Sequence, residues 1–348
     1  MKKIMLSGCG GPAGVNVIRS LRNAPEKVYL VGTDINKYHL LWADTDDKWL
    51  VPKYTSSEYI DKINELADKT ESDMIHPQPD GEVFTLSKNR RKLHCATFLP
   101  KHRTIGLCQD KFESAKIWKK AGIATTDSVL VKSVSDIDIA AQRIGYPFWL
   151  RATHGFSSRG STLVKQRATA ANWIRYWRSR DVPWDFVAHE YLPGRNIAFQ
   201  SLWKNGELIT SQARVRLEYI YPYLAPSGCT NTPVVAKTIH DDRVNAIATK
   251  CVKAIDKHAT GIFCVDLREN IVGMPIPTEI NAGRFFTTSY FFTAAGLNMP
   301  YYYVKLAYGE ELPKLPKYNA IDFDLLWCRH IDCPAILIQE SDVKFRRI

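Results

Sequence analysis

The chain has 348 residues, 45% hydrophobic and 24% charged, which is the balance of a soluble globular protein with room for two or three domains. No apolar run is long enough to cross a bilayer, so no membrane partner is expected. The start Met1-Lys-Lys-Ile-Met-Leu6 turns at Ser7-Gly8 after three apolar residues, which makes it a first strand rather than a signal segment. A net charge of +11 favours anionic partners, among them ATP, phosphates and carboxylates. The basic run Lys88–Lys92 carries no nucleic-acid-binding signature, so nucleic acid is not an expected partner. Eight scattered cysteines, without the paired spacing of a zinc site, imply reduced thiols in a cytoplasmic setting.

Residues 1 to about 105 alternate strand and helix signals. Strands are expected at Lys3–Leu6, at Val28–Val31 running on to Asp34, and at Asp73–His76. Helices are expected at Val15–Arg22 and at Glu58–Lys69, the second with Ile60, Ile63, Leu66 and Ala67 on one face. This βαβ order predicts a parallel sheet. Asp110-Lys111 opens a helix that stops at Ala121-Gly122. A strand at Val129–Val131, a helix at Asp136–Ile144 and a strand at Phe148–Ala152 follow. Ser161–Lys165 is a strand and Thr169–Arg178 a helix. Phe186–Tyr191, Ile197–Trp203 and Leu208–Arg214 read as strands, the last two joined by a hairpin turn at Asn205-Gly206. A long amphipathic helix is expected over Asp241–Lys257 and another helix over Met299–Tyr308. After Pro313 the pattern is short and gives no firm element.

The residues with the most chemical content are Asp266, Glu279 and Asn281. The two acids end apolar strand-like runs, Gly-Ile-Phe-Cys-Val-Asp266 and Thr-Glu279, and Asn281 follows at i+2 on the same face. Two carboxylates and an amide oxygen on paired strands suit a hard divalent cation that fills its shell with phosphate and water, Mg²⁺ or alternatively Mn²⁺. The simpler reading is a solvated strand end. Arg151-Ala-Thr-His-Gly155-Phe-Ser157-Ser158-Arg159-Gly160-Ser161 lies between two strands. Its glycines and serines let successive N–H groups turn toward one anion, as in a loop over a polyphosphate; otherwise it is a hairpin tip.

The turn Gly8-Cys-Gly10-Gly-Pro-Ala13-Gly14 satisfies a dinucleotide fingerprint, with Asp34 placed as a ribose-binding acid. A nicotinamide oxidoreductase therefore competes with a plain tight turn. His189-Glu190-Tyr191-Leu192-Pro193-Gly194 has the form of a hinge whose backbone edge reads an adenine ring, or of a strand that simply ends at Pro-Gly. The stretch His76 to Glu82, with Asp80 and Glu82, reads as a substrate-side loop. Arg214, Arg216, Ser227 and Gly228 are candidates to bind a carboxylate or acyl phosphate.

The order of these motifs resembles the ATP-grasp superfamily, in particular the branch similar to the carbamoyl-phosphate synthase large subunit, and the likeness extends to about residue 312. The resemblance implies an α/β Rossmann-like pre-ATP-grasp domain at 1–105, followed by a two-lobed α+β ATP-grasp domain. Its small lobe would be 106–187 and its large lobe 188–315, with 316–348 as a C-terminal extension. It implies that Lys111 and Arg151 contact phosphates, that Gly155–Ser161 covers the triphosphate, and that Glu190 and Leu192 lie beside the adenine. Asp266, Glu279 and Asn281 would hold the metal, and Arg151 and Arg284 would act on the reacting groups. The implied activity is Mg-ATP-dependent joining of a small-molecule carboxylate to an amine through an acyl phosphate, by an enzyme of a type that is often a homodimer. Where the family commonly has a ribose-binding glutamate, this chain has Arg195-Asn196. That departure keeps a non-catalytic nucleotide-binding protein in view.

Overall fold

In the computed structural model of the chain, residues 1–153, 160–180, 184–225, 228, 233–331 and 333–342 are described. The first part runs β1 (Lys3–Ser7), α1 (Pro12–Arg22), β2 (Tyr29–Asp34), α2 (His39–Trp42), β3 (Asp47–Leu50), α3 (Tyr59–Thr70), β4 (Met74–Pro77), α4 (Asp80–Lys88) and α5 (His102–Gln109). Its four strands are all parallel in the order β3-β2-β1-β4, as helical crossovers require. The sheet therefore has the expected parallel core, with α2 and β3 added. The segment 76–82, read from sequence as a loop, is the end of β4 followed by the start of α4. Pro79 precedes that helix, and Asp80 and Glu82 lie in its positive first turn, where carboxylates are favoured.

Asp110 caps α6 (Lys111–Lys120) by accepting from the N–H groups of Phe112 and Glu113, both at 3.0 Å. A second sheet follows from β5 (Ser128–Val131), α7 (Asp136–Ile144), β6 (Phe148–Ala152), β7 (Thr162–Val164), α8 (Arg167–Arg178) and β8 (Phe186–Glu190). It is antiparallel, in the order β5-β8-β6-β7. Alternation along its strands sends Phe148, Leu150, Ala152, Phe186 and Ala188 into a small core with Ile137, Ile174 and Trp177. Trp149, Arg151 and His189 are left on the opposite face.

The third sheet holds β9 (Asn196–Lys204), β10 (Glu207–Tyr219), β11 (Pro233–Ile239), then, after α9 (Asp242–Ile255), β12 (Gly261–Glu269) and β13 (Pro275–Ala282). After α10 (Tyr290–Ala294) and α11 (Met299–Ala307) come β14 (Leu325–His330) and β15 (Cys333–Gln339). These seven strands are antiparallel, in the order β13-β12-β9-β10-β11-β14-β15. The turn between β9 and β10 has Asn205 at φ 51° and Gly206 at φ 86°, the two left-handed residues that a two-residue hairpin needs. Residues beyond Pro313, without a firm element from sequence, supply the β14–β15 edge of this sheet.

Met5, Val31 and Ile75 of the parallel sheet belong to one apolar cluster with Phe199, Phe263 and Val265 of the large sheet. Each buried side chain of this size contributes roughly 2 kcal/mol, so the first and third sheets are fused by a shared core. The small sheet keeps a separate core of its own.

Candidate functional site

The three sheets surround one cavity of about 720 Å³. The large sheet supplies its floor. Asp266 and Glu279 sit directly opposite each other inside β12 and β13, one register row, rather than at the strand ends expected from sequence. The same row continues through Ala198 of β9 to Arg214 of β10. Paired residues of an antiparallel sheet point to the same face, so all four share the cavity side of that row.

Like charges directly opposite are unfavourable unless compensated. Cations from three elements, α6, β6 and β10, compensate them here. Arg216 Nη2 donates to Asp266 Oδ1 at 2.6 Å. Lys111 Nζ and Arg151 Nη1 lie 3.7 and 3.5 Å from Glu279 Oε2. Burial alone would raise the Glu279 carboxyl, but the Lys111 ammonium and the Arg151 guanidinium outweigh it and hold that group at about 2. Burial raises Asp266, with Glu279 adding to the effect and Arg216 opposing it. Burial also lowers Lys111 and Arg151, while Glu279 pulls both upward. Arg284 donates through Nη2 to Asn281 Oδ1 at 2.6 Å and through Nε to Asp80 Oδ1, which ties the large sheet to the first turn of α4.

The donor set Asp266, Glu279 and Asn281 is all oxygen, and its two carboxylates are forced together by strand register. That arrangement fits a hard divalent cation. Among the described residues no cluster of three or more His, Cys, Asp or Glu side chains forms a metal site, so any such ion relies on the Asn281 amide, phosphate and water for the rest of its shell.

The small sheet is the opposite wall. Arg151 Nη2 reaches across to the Thr278 carbonyl at 2.5 Å. Trp149, His189, Glu190 and Leu192 line the cavity beside it. His189 was part of a motif quoted from sequence without a role. Its Nδ1 lies 2.9 Å from Ser128 Oγ and 3.2 Å from Thr126 Oγ1, while its buried Nε2 has no partner among the described residues. Burial, with Arg151 and Lys111 nearby, keeps this imidazole neutral, well below the usual histidine range. Trp149 was also missed, although it is two residues from Arg151 and alternation puts both on one face.

The third wall is the first domain. Gly8, Gly11, Pro12, Ala13 and Gly14 face the cavity with Gln78, Asp80 and Gly81. A Cβ on Gly10 would lie 2.0 Å from the His39 carbonyl oxygen, and one on Gly14 would lie 2.3 Å from that of Gly8, so packing accounts for both glycines. Asp34 does not stand free for a ribose. Its carboxylate accepts from Gly10 N–H at 3.2 Å and from Asn36 N–H at 2.9 Å. The nicotinamide reading loses its acid to that turn.

Other sequence candidates fall differently. Glu82 lies outside the cavity wall, buried, and accepts from the Tyr59 hydroxyl at 3.0 Å. It is one helix position too far round from Asp80 and Gly81 to share their face. Gly228 is exposed at φ 67° and is not part of the wall. Gly160 and Ser161 are buried, and Ser161 lines the cavity. Gly155, Ser157, Ser158, Arg159 and Ser227 lie outside the described residues. Arg195 forms a bidentate pair with Glu269, at 2.8 and 2.5 Å, and bonds Asp241 at 3.0 Å. Asn196 lines the cavity and holds Arg216 Nη1 at 2.7 Å. Arg214 and Arg216, equivalent in the sequence, are not equivalent here. Arg216 is bound at both ends, whereas the buried Nε and Nη1 of Arg214 have no partner. Burial and the neighbouring Arg216 push the Arg214 guanidinium down to about 9.

No family model matches the chain. A D-alanine–D-alanine ligase of Clostridium botulinum (strain 657 / Type Ba4) is 46% identical over 63 residues, 18% of this chain and 21% of that enzyme. D-alanine–D-alanine ligase B of Clostridium perfringens is 26% identical over 179 residues, 50% of this chain and 57% of that protein. The chain thus spans from about a fifth to just over half the length of these curated relatives. Among solved structures, the biotin carboxylase domain dimer of the Hydrogenobacter thermophilus 2-oxoglutarate carboxylase, in complex with MgADP, ADP and bicarbonate, superposes with a TM-score of 0.71. The identity is 19%, over 94% of this chain and 74% of that one. With its fold shared along nearly its whole length and local sequence identity to ligases of this type, the chain has the ATP-grasp fold.

Proposed function

We propose that the chain is an ATP-dependent ligase that activates a small-molecule carboxylate as its acyl phosphate and joins it to an amine, releasing ADP and phosphate. The observation that carries this reading is the Asp266–Glu279 pair on paired strands, ringed by Lys111, Arg151, Arg216 and Arg284 within one cavity. In this reading residues 106–187 and 188–315 are the two lobes that clasp the nucleotide. Residues 1–105 present the substrate from the Gly8–Gly14 turn, and 316–348 extend the large lobe.

Asp266, Glu279 and Asn281 would hold Mg²⁺ or Mn²⁺, which when bound neutralises phosphate charge and orients the triphosphate. Lys111 and Arg151 then turn from Glu279 toward phosphate oxygens. Trp149, His189, Glu190 and Leu192 form the wall for the base and ribose. A carboxylate oxygen of the substrate bonds to the γ-phosphorus as the bond to the β-bridging oxygen breaks, and ADP leaves. The amine nitrogen next bonds to the acyl carbon, gives up a proton, and expels phosphate. No protein nucleophile is needed. The work is charge neutralisation and positioning, for which the ring of cations is suited. Arg284, bonded to Asp80 and Asn281, would stabilise the acyl phosphate.

The test is ADP release from Mg-ATP with pooled amino acids and other small carboxylates and amines, wild type against Glu279→Ala. The expected result is ADP formation that requires both a carboxylate and an amine and falls by more than about a hundredfold in the variant. Full turnover by Glu279→Ala, or no ADP with any pool, would remove the reading. The second outcome would favour a non-catalytic nucleotide-binding protein.

A further inference from the structure

Arg214, like the half-buried Arg268 that lies against the Tyr191 ring, is a cavity-lining guanidinium for which the described residues provide neither a hydrogen bond nor an ion pair. It is 1% exposed. Its Cζ stacks 4.1 Å from the centre of the Phe286 ring, which fixes the plane of the fork without using any N–H group. The nearest carboxylate, Asp266, is taken by Arg216. Arg329 adds positive field from behind, bonded to the Thr287 and Pro233 carbonyls. A buried, unpaired guanidinium is costly, and replacing it with an apolar side chain would be cheaper. Its retention inside a ligand cavity calls for an anion supplied from outside the chain.

Register places that anion. Glu279, Asp266, Ala198 and Arg214 form one row across four strands. Two inter-strand steps separate Asp266 from Arg214, roughly 10 Å between backbones. The residue between them is Ala198, buried in the apolar core, which offers Arg214 no counter-charge.

We infer that Arg214 is the receptor for an oxyanion that the substrate keeps through the reaction, distinct from the carboxyl that is activated beside Asp266 and Glu279. This deepens the proposed ligase reading and rests on it for the word substrate. The substrate is thus at least a dianion, with a second carboxylate or a phosphoryl group held a few atoms from the reacting one. The planar fork of arginine, locked on Phe286, suits either group bidentately, and lysine would not reproduce it.

The experiment measures thermal unfolding of the full chain, wild type, Arg214→Met and Arg214→Lys, with the nucleotide site saturated by a Mg-bound non-hydrolysable ATP analogue. Sodium malonate and sodium phosphate are the probes, each against sodium chloride at matched ionic strength. In the wild type the probes raise the melting temperature, and at about ten times the apparent Kd the unfolding equilibrium shifts by about tenfold. Arg214→Met starts at least as stable without probe and shows no such shift, while Arg214→Lys keeps a weakened one. A response to malonate alone points to a second carboxylate and a response to phosphate alone to a phosphoryl group; both support the inference. Equal probe dependence in wild type and Arg214→Met, no dependence in the wild type, or a loss of stability in Arg214→Met that is the same with and without probe would overturn it. If the ATP analogue fails to stabilise the wild type, the ligase reading fails. The same titrations on nucleotide-free protein then still decide the role of Arg214.

Discussion

Replacing Glu279 by glutamine removes one charge and little volume, so its effect isolates the electrostatics of the floor. Two cations stand 3.5 and 3.7 Å from the carboxylate. At an effective dielectric constant near 20 each attraction is worth about 4–5 kcal/mol gross. Desolvation of the buried acid and repulsion from Asp266 take back most of that. The net is read from the carboxyl itself. Glu279 is held below its usual range, with Lys111 and Arg151 outweighing burial, so the net is stabilising and on the order of a few kcal/mol. A depressed carboxyl stabilises the fold above its unfolded value, and that stability is lost as pH falls from about 4.5 toward 2. Glu279→Gln in the absence of nucleotide and metal is therefore expected to lose about 2–3 kcal/mol at pH 7, because Lys111 and Arg151 would face a neutral amide. Urea unfolding at pH 7 and at successively lower pH measures it, and the gap should narrow once pH passes below about 4.5. A variant as stable as wild type at pH 7 would show that relief of the Asp266 repulsion cancels both ion pairs. A gap independent of pH would refute the charge argument altogether.

Arg195→Ala should cost less than about 1 kcal/mol, because its partners Glu269 and Asp241 are reached by a side chain that is itself 42% exposed and screened by water. Affinity for an ATP analogue should stay within about threefold, since the guanidinium is bound away from the cavity; a loss beyond about tenfold would give Arg195 a ribose-side role. His76 is buried between the Tyr303 hydroxyl and the Gln78 amide, and burial pushes it to about 3. Folding therefore keeps it neutral while the unfolded chain takes up a proton below about pH 6.5, so stability falls with acid by up to about 1.4 kcal/mol per pH unit. His76→Asn should flatten that slope in urea titrations between pH 6.5 and 5, and an unchanged slope would assign the acid sensitivity to other groups.

Local chemistry made much of the chain readable without coordinates. Glycine and proline punctuation, period-2 runs and Asp caps marked β6, α7, the Asn205–Gly206 hairpin and the capped start of α6, because each depends on residues within a few positions. The Asp266–Glu279 pairing was legible for the same reason, because the two strands are consecutive and form one hairpin. The segment 76–82 was misread because two prolines suggested a loop, while Pro79 in fact sits at a helix start with acids in the first turn. β14 and β15 had no firm signal, since they are strands by virtue of the β11 edge they extend.

The sequence by itself determined the set of elements, the oxygen-donor trio and the stock of basic residues. Only the tertiary structure decided how those residues are used. Arg214 and Arg216 are two positions apart on one strand face and look alike in any local reading, yet Arg216, one row away, reaches across to Asp266, while Arg214, in the same row as Asp266 with Ala198 between them, does not. Asp80 and Glu82 share a first helical turn, yet one meets Arg284 across the cavity and the other meets Tyr59 in a core. Asp34 is spent on the glycine turn that it seemed to complete. In each case the deciding partner lies far along the chain, and a charge's role depends on its nearest counter-charge within a few ångströms, a distance that only the folded sheet sets.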